Sequence, residues 1–308
     1  MIVNHARFAI TVDVEGEWFN LPGEQGTFDV SKVIEAVQNL EQLFCQLESK
    51  VGIRVPVTWF IRCDDSVSMC TGDCSGLLKS LNDFILRRKA MGDEFGFHPH
   101  LYKHSQGKWM PETDCDKQSD QLKRGALAWK SYFGSMPSLS RIGEALMNNA
   151  IAKTLDELGI EIDSTALEGR KRSDQGFHFD WVGTPNKPYY PSTADYRRPP
   201  INGECSRNFI EIPFTMLPLL GPNDKVSLKR YFNLAFKPEL MIRAIETIEQ
   251  SQSIVAVLHP HELLPNNNEH PLIAYSPNSL EKNIKNLCGV FEHIQFKLLS
   301  ELSDNAFR

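Results

Sequence analysis

The chain has 308 residues, 41% of them apolar, and 33 basic against 39 acidic side chains give a formal charge of −6. That length suits one large α/β domain as well as two small ones, and the apolar share is enough for a real core. The acidic balance argues against a nucleic-acid binder, because a polyanion would need a local basic patch to overcome the global field.

The opening MIVNHARFAITVDVEGEWF brings acidic residues in before any long apolar run, so no signal peptide is expected. The longest apolar stretches, such as Ile254 to Leu258, are too short to span a bilayer. Seven cysteines, an odd and scattered set, argue against a disulfide framework and for a reducing compartment. Cys70 and Cys74 read as incidental thiols, with a structural zinc site as the lesser alternative. The expectation is a cytoplasmic protein with no membrane span and no nucleic-acid partner.

In chain order, Phe8 to Val12 reads as a short buried strand. Ser31 to Lys50 reads as a helix, with Val33, Ile34, Val37, Leu40, Phe44 and Leu47 on one stripe. Pro56 to Ile61 is a second strand. Leu77, Leu78, Leu81, Phe84 and Ile85 mark a second helix, stopped near Gly92, and Glu94 to His98 a third strand. Helices fit Gln121 to Tyr132 and Ala145 to Leu158, the latter closed by Gly159. Phe209 to Phe214 and Ser253 to His259 read as later strands, Leu280 to Val290 as a last helix and Gln295 to Leu298 as a last strand. Repeated β-then-α order implies a parallel sheet or barrel in a single domain over 1–308. Residues 168–208 and 264–278 break the pattern and read as long loop excursions, the first of them near the site.

Three segments can carry chemistry. Asp13 and Glu15 follow the first strand, and positions i and i+2 of extended chain point to one side. Two carboxylates placed so repel, and need a metal, hydrogen bonds or a proton between them, unless both are simply solvated. His98 and His100 share one side of Gly96-Phe97-His98-Pro99-His100, with Pro99 favouring extended geometry. Neutral imidazoles at that spacing suit zinc or a similar divalent ion, although backbone-bonded histidines would look the same. Leu258-His259-Pro260-His261-Glu262 ends an apolar run in ionisable groups, as catalytic strand ends do. Arg141 alone is a weak signal.

Taken in order these pieces resemble the polysaccharide deacetylase family, the NodB-homology hydrolases of carbohydrate esterase family four. The likeness rests on Thr11-Val12-Asp13-Val14-Glu15, Pro56-Val57-Thr58-Trp59-Phe60, Gly92 to His98 and Arg141-Ile142-Gly143. It continues through Leu155 to Gly159, Asp163-Ser164-Thr165, Phe209 to Pro213 and Leu258 to Glu262, so it runs from about Phe8 to Leu302. The resemblance implies a distorted (β/α) barrel of about seven strands. It implies Asp13 as general base, Glu15 and His98 as metal ligands, Arg141 as the residue orienting the base, and His259 as general acid. The family's second histidine lies four residues after the first, and Tyr102 stands there; His100 takes the role, with His104 as the fallback. Glu15 in place of Asp is the other departure.

The implied activity is metal-dependent hydrolysis of a carbon–nitrogen bond other than a peptide bond. The substrate would be an N-acetyl sugar or polysaccharide precursor, in cell-surface polysaccharide synthesis such as that of O-antigen or capsule. The implied cofactor is a divalent ion, Zn2+ before Co2+, Ni2+, Fe2+ or Mn2+. The alternatives are hydrolysis of a formamide or cyclic amide, or an inactive carbohydrate- or metal-binding barrel. His261 is a candidate to support His259 or line the sugar site. Trp18, Phe19, Tyr189, Tyr190 and Tyr196 are candidates to stack on a sugar ring or to anchor loops.

Overall fold

The structure, a computed structural model, describes residues 5–15, 29–52, 54–105, 107–174, 177–248, 253–264 and 270–303. Eight parallel strands form one sheet: β1 (His5–Val14), β2 (Val57–Arg62), β3 (Glu94–His98), β4 (Leu139–Ser140), β5 (Ile162–Asp163), β6 (Ile210–Glu211), β7 (Ser253–Leu258) and β8 (His293–Lys297). Seven of them follow the path β6-β5-β4-β3-β2-β1-β7, and β8 pairs with the first half of β1. The chain after β6 curls back toward β7: Phe214 N–H donates to Ala166 O, and Thr215 N–H to Val255 O. This is the expected distorted barrel, with an eighth strand added at its base.

The helices coat the outside: α1 (Val30–Val51), α2 (Asp65–Thr71), α3 (Gly76–Ser80), α4 (Asn82–Ala90), α5 (Cys115–Phe133), α6 (Asn149–Leu158), α7 (Pro238–Ile245) and α8 (Pro277–Val290). The expected 77–85 helix is two helices that break at Leu81. Two helices begin elsewhere than the apolar stripe suggests, because their caps decide. The Asp114 carboxylate accepts the N–H groups of Asp116 and Lys117, so α5 starts at Cys115. Asn148 accepts the N–H of Ile151, so α6 starts at Asn149, and residues 143–145 form a separate turn. The expected 209–214 strand shrinks to Ile210–Glu211.

Strand alternation sorts the sheet into two faces. On β1, Phe8, Ile10, Val12 and Val14 pack under the helices, as do Trp59, Ile61, Ile254 and Leu258. Each such buried side chain stabilises by about 1.5–3 kcal/mol. The opposite face lines the barrel interior, where Ala9, Phe60, Leu139, Val255 and Val257 form a second, smaller cluster with Leu299 and Leu302. The same parity turns Asp13, Glu15, Arg62, His98 and His259 inward at the C-terminal ends of the strands. The other end is plugged: Thr58 Oγ1 accepts from Leu299 N–H, and Glu94 from Ser300 N–H. The inward polar groups therefore gather at the C-terminal mouth, the end where barrel sites lie.

The 168–208 excursion is built from an antiparallel hairpin, Lys171–Asp174 with Phe177–Asp180, followed by turns. Among the described residues of 264–278, Ile273 bridges to Phe236. All seven cysteines are free thiols. Among the described residues no helix is long and apolar enough to cross a membrane.

Candidate active site

Glu15, one residue beyond β1, places Oε2 2.7 Å from His100 Nε2 and 3.6 Å from His98 Nε2, and the two nitrogens are 3.2 Å apart. All three side chains are buried, and their donor atoms converge as no other such group does among the described residues. His98 Nδ1 lies 2.7 Å from the Arg141 carbonyl, so that nitrogen carries the proton and donates it, leaving the Nε2 lone pair aimed at the cluster. His100 is fixed by its backbone N–H, which donates to Asp64 Oδ2 at 3.1 Å. Asp64 is itself held by Arg62 at 2.8 Å and caps α2. The His100 ring rests on Gly143, where a Cβ would come within 2.1 Å of it, so this position admits no side chain.

This donor set fits a divalent ion. Two imidazole nitrogens and a carboxylate oxygen packed edge to edge repel unless a cation or proton sits among them. Tetrahedral ligands at about 2.1 Å from a metal lie ~3.4 Å from one another, and the three separations here bracket that. Burial, with the Arg62 guanidinium adding to it, holds His100 down to about 4, which keeps the ring neutral and able to ligate. Burial pushes the Glu15 carboxyl up, but His100 beside it and its hydrogen bonds to His100, His259 and His98 hold it well below the usual range.

Asp13 sits inside the end of β1 on the same side as Glu15. Arg141 Nη1 donates to Asp13 Oδ1 at 2.6 Å and to Thr11 Oγ1 at 2.9 Å, and Nε donates to Ser164 O at 2.8 Å. The guanidinium lies between the rings of Phe60 and Phe214, 4.1 and 4.2 Å from their centroids. A flat cation stacked on both faces and bonded along its edge can hold Asp13 in only one orientation.

His259 follows β7 and faces the triad, its Nε2 3.2 Å from Glu15 Oε1 and 4.0 Å from Asp13 Oδ2. Its Nδ1 lies 3.2 Å from Glu262 Oε1, and its backbone N–H donates to Glu262 Oε2 at 2.9 Å. The Asn233 amide donates to both Glu262 oxygens, at 3.0 and 2.9 Å. Burial works against the charged form of His259, but Glu262 and Glu15 opposite it outweigh that and hold its pKa well above the usual value. Burial likewise raises Glu262, and His259 reverses this, down to about 2. Each of the two groups thus favours the charged form of the other.

Asp13, Glu15, His98, His100, Arg141 and His259 thus meet in one cleft of about 290 Å³. His104 does not join them: it is exposed in the hairpin Tyr102–Ser105 with Lys108–Pro111, its ring against Trp109. The support assigned to His261 falls to Glu262, because the chain turns into a 3₁₀ helix at Pro260–Leu263 and brings the i+3 side chain back to His259. His261 is not among the cleft's lining residues. Tyr189 and Tyr196 anchor the excursion instead of lining the cleft. Tyr189 is buried and its hydroxyl donates to Tyr196 O, and Tyr196 packs on Trp181. Tyr190 is exposed, and Trp18 and Phe19 lie outside the described residues. The aromatic walls are Phe179, Phe214 and Tyr231, which no period in the sequence singled out.

Glu144 was also missed. It lines the cleft with a left-handed backbone (φ 57°), and its Oε1 accepts from the Tyr102 hydroxyl at 3.1 Å. Burial, with Glu15 adding to it, raises its carboxyl to about 7. Glu144 and Ala145 both take the left-handed backbone after Gly143, a turn that no sequence signal announced.

No protein-family model and no curated protein matches the sequence. Solved structures do. One is a Mycobacterium smegmatis protein provisionally described as a polysaccharide deacetylase, 15% identical, with 98% of this chain and 90% of that one covered at a TM-score of 0.50. Another is a Parabacteroides distasonis protein provisionally described as a glycoside hydrolase/deacetylase, 12% identical, with 97% of this chain and 70% of that one covered at a TM-score of 0.60. At such identities the likeness is one of fold, and the chain has the polysaccharide deacetylase fold.

Proposed function

We propose that the chain is a metal-dependent deacetylase that hydrolyses the N-acetyl group of a sugar. One observation carries this reading: a convergent Glu15–His98–His100 donor set shares its cleft with a base candidate clamped by arginine and an acid candidate backed by a carboxylate. Binding alone would need only the first. Glu15, His98 and His100 would hold a divalent ion, with Zn2+ the first choice on an N,N,O donor set. Bound there, the ion supplies Lewis acidity toward the acyl oxygen and lowers the pKa of water.

This chain's own residues do the rest. Asp13, fixed by Arg141, takes the proton of the attacking water. His259 enters charged, because Glu262 holds its Nδ1 proton, and its Nε2 proton goes to the leaving amine. The amine cannot depart as an anion, so that proton is required for turnover. Ile142, Leu167, Phe179 and Phe214 keep the cleft walls apolar, which strengthens each charge interaction inside.

The test is acetate release from a panel of N-acetyl sugars by enzyme loaded with zinc, cobalt, nickel, iron or manganese, alongside metal analysis. Release from at least one sugar, abolished by chelation, is expected. Release of formate from formamides, or opening of a cyclic amide, with none of acetate would transfer the reading to that class. Bound metal with no amide hydrolysed would leave a binding barrel. A role in making cell-surface polysaccharide, O-antigen or capsule included, is part of the proposal and is tested by the substrate that responds.

A further inference from the structure

We propose that the sugar is anionic, and that Arg170 receives its charged group, a carboxylate or a phosphate, at the wall of the cleft. This rests on the sugar-hydrolase reading above and narrows it to a substrate class.

Other cations in or near the cleft have carboxylate partners. Arg141 is paired with Asp13, and Arg172 with Asp174 at 2.6 Å and with Glu144 at 3.7 Å. Arg230 is paired with Asp224 at 2.8 Å, and Lys229 with Glu168. Arg170 lines the same cleft and is half-buried, yet its hydrogen bond is to a neutral group, the Lys229 carbonyl, 2.8 Å from Nη1. No carboxylate lies within ion-pair distance of it among the described residues.

The main chain of Arg170 is pinned beside the cleft. Its N–H donates to Leu167 O at 2.9 Å and its carbonyl accepts from Trp181 N–H at 2.8 Å, at the base of the 171–180 hairpin. Burial and the nearby Arg230 and Arg172 charges all disfavour its cation. A guanidinium held half out of water near two others, with a carbonyl as its hydrogen-bond partner, gains from an anion that joins it. Its planar fork matches carboxylate and phosphate oxygens two at a time. A neutral sugar offers no such gain.

Wild type, R170Q and R170K would be assayed for acetate release from N-acetylglucosamine, N-acetylglucosaminuronic acid and N-acetylglucosamine 1-phosphate. Binding of the same three compounds would be followed by calorimetry. The expected result is a kcat/KM at least about tenfold higher for one anionic compound than for the neutral sugar. That ratio should collapse in R170Q and be partly kept in R170K. Preference for the uronic acid assigns a carboxylate, and preference for the phosphate a phosphoryl group. Equal turnover of neutral and anionic compounds, or a preference that survives R170Q, overturns the inference and leaves the deacetylase reading intact. If no compound releases acetate, that reading fails for these sugars and binding decides the inference. Anion binding by wild type that R170Q weakens upholds it. Binding that is equal in both, or absent, ends it.

Discussion

The sequence His-Pro-His occurs twice, at 98–100 after β3 and at 259–261 after β7, and the two copies are in opposite states. In the first, His98 Nδ1 donates to a neutral carbonyl and burial beside Arg62 drives His100 down to about 4. In the second, His259 Nδ1 faces the Glu262 carboxylate and its pKa is held well above normal. Both leading histidines are inward at the end of a parallel strand, so neither sequence nor orientation separates them. The group behind the ring does. A neutral acceptor leaves a lone pair in front, fit for a cation, and an anion behind leaves a proton in front, fit for an amine.

The sharpest way to break that contrast is to remove one leading histidine from each copy. His98→Ala should lose bound zinc and all activity, since it deletes a donor atom. His259→Asn should keep stoichiometric zinc while acetate release falls by about 10²–10⁴. Metal analysis with steady-state kinetics reads both. Zinc lost from the His259 variant, or kept by the His98 variant, would mean that the two copies have been assigned the wrong way round.

Much of this was legible in the sequence, and the reason is parity. Asp13 and Glu15, and His98 and His100, sit two apart on extended chain, so one side of a strand predicts one side of a cleft. Glu262 escaped the same rule because Pro260 starts a 3₁₀ helix, where i+3 and not i+2 returns to His259. A residue like Glu at N3 after Pro at N1 is the spacing of a capping box, and that was the available signal. Strands β4 and β5 are two residues long and carry no period of their own. The Arg141–Asp13 clamp spans 128 residues and was reachable only through family likeness. Arg170 and Glu144 belong to turns, where side-chain direction follows no periodicity, and Phe179 sits in a four-residue hairpin strand too short to show one.

Smaller effects sharpen the comparison within each copy. Gly143→Ala would drive a methyl into the His100 ring, so the ring must shift off its line with Glu15. Zinc affinity should fall by about 10–100-fold, the usual effect of disturbing what orients a ligand, and zinc titration against a competing chelator measures it. An unchanged affinity would show that His100 is not a ligand. Glu262→Gln leaves His259 in place and removes the anion behind it. Turnover should fall by about tenfold. The activity depends on protonated His259, so its alkaline limit should move to lower pH in this variant, with zinc content constant. An unmoved pH profile would separate Glu262 from the acid.

The same rule extends to a carboxylate pair outside the reaction. Glu262 and Glu211 are both fully buried, yet Glu262 is held down to about 2 beside His259, whereas Glu211 is raised well above normal by burial and by Asp163 across the β5–β6 pairing. Glu211 Oε1 accepts the N–H groups of Thr165 and Ala166, and Asp163 accepts from Ser140 Oγ, so one proton between the two carboxyls completes the set. A folded-state pKa above the unfolded value contributes stability that is fully present below the unfolded pKa and is lost as pH rises through the folded one. The wild type should therefore weaken, from about pH 4 upward, by as much as ~1.4 kcal/mol per pH unit from this pair. Glu211→Gln keeps the carbonyl acceptor for Thr165 and Ala166 and offers Asp163 a permanent donor in place of the shared proton. Its urea midpoint should gain steadily on the wild type between pH 5 and about 8. Parallel midpoints across that range would mean that Glu211 is already ionised in the fold, and that an anionic neighbour does not decide its charge.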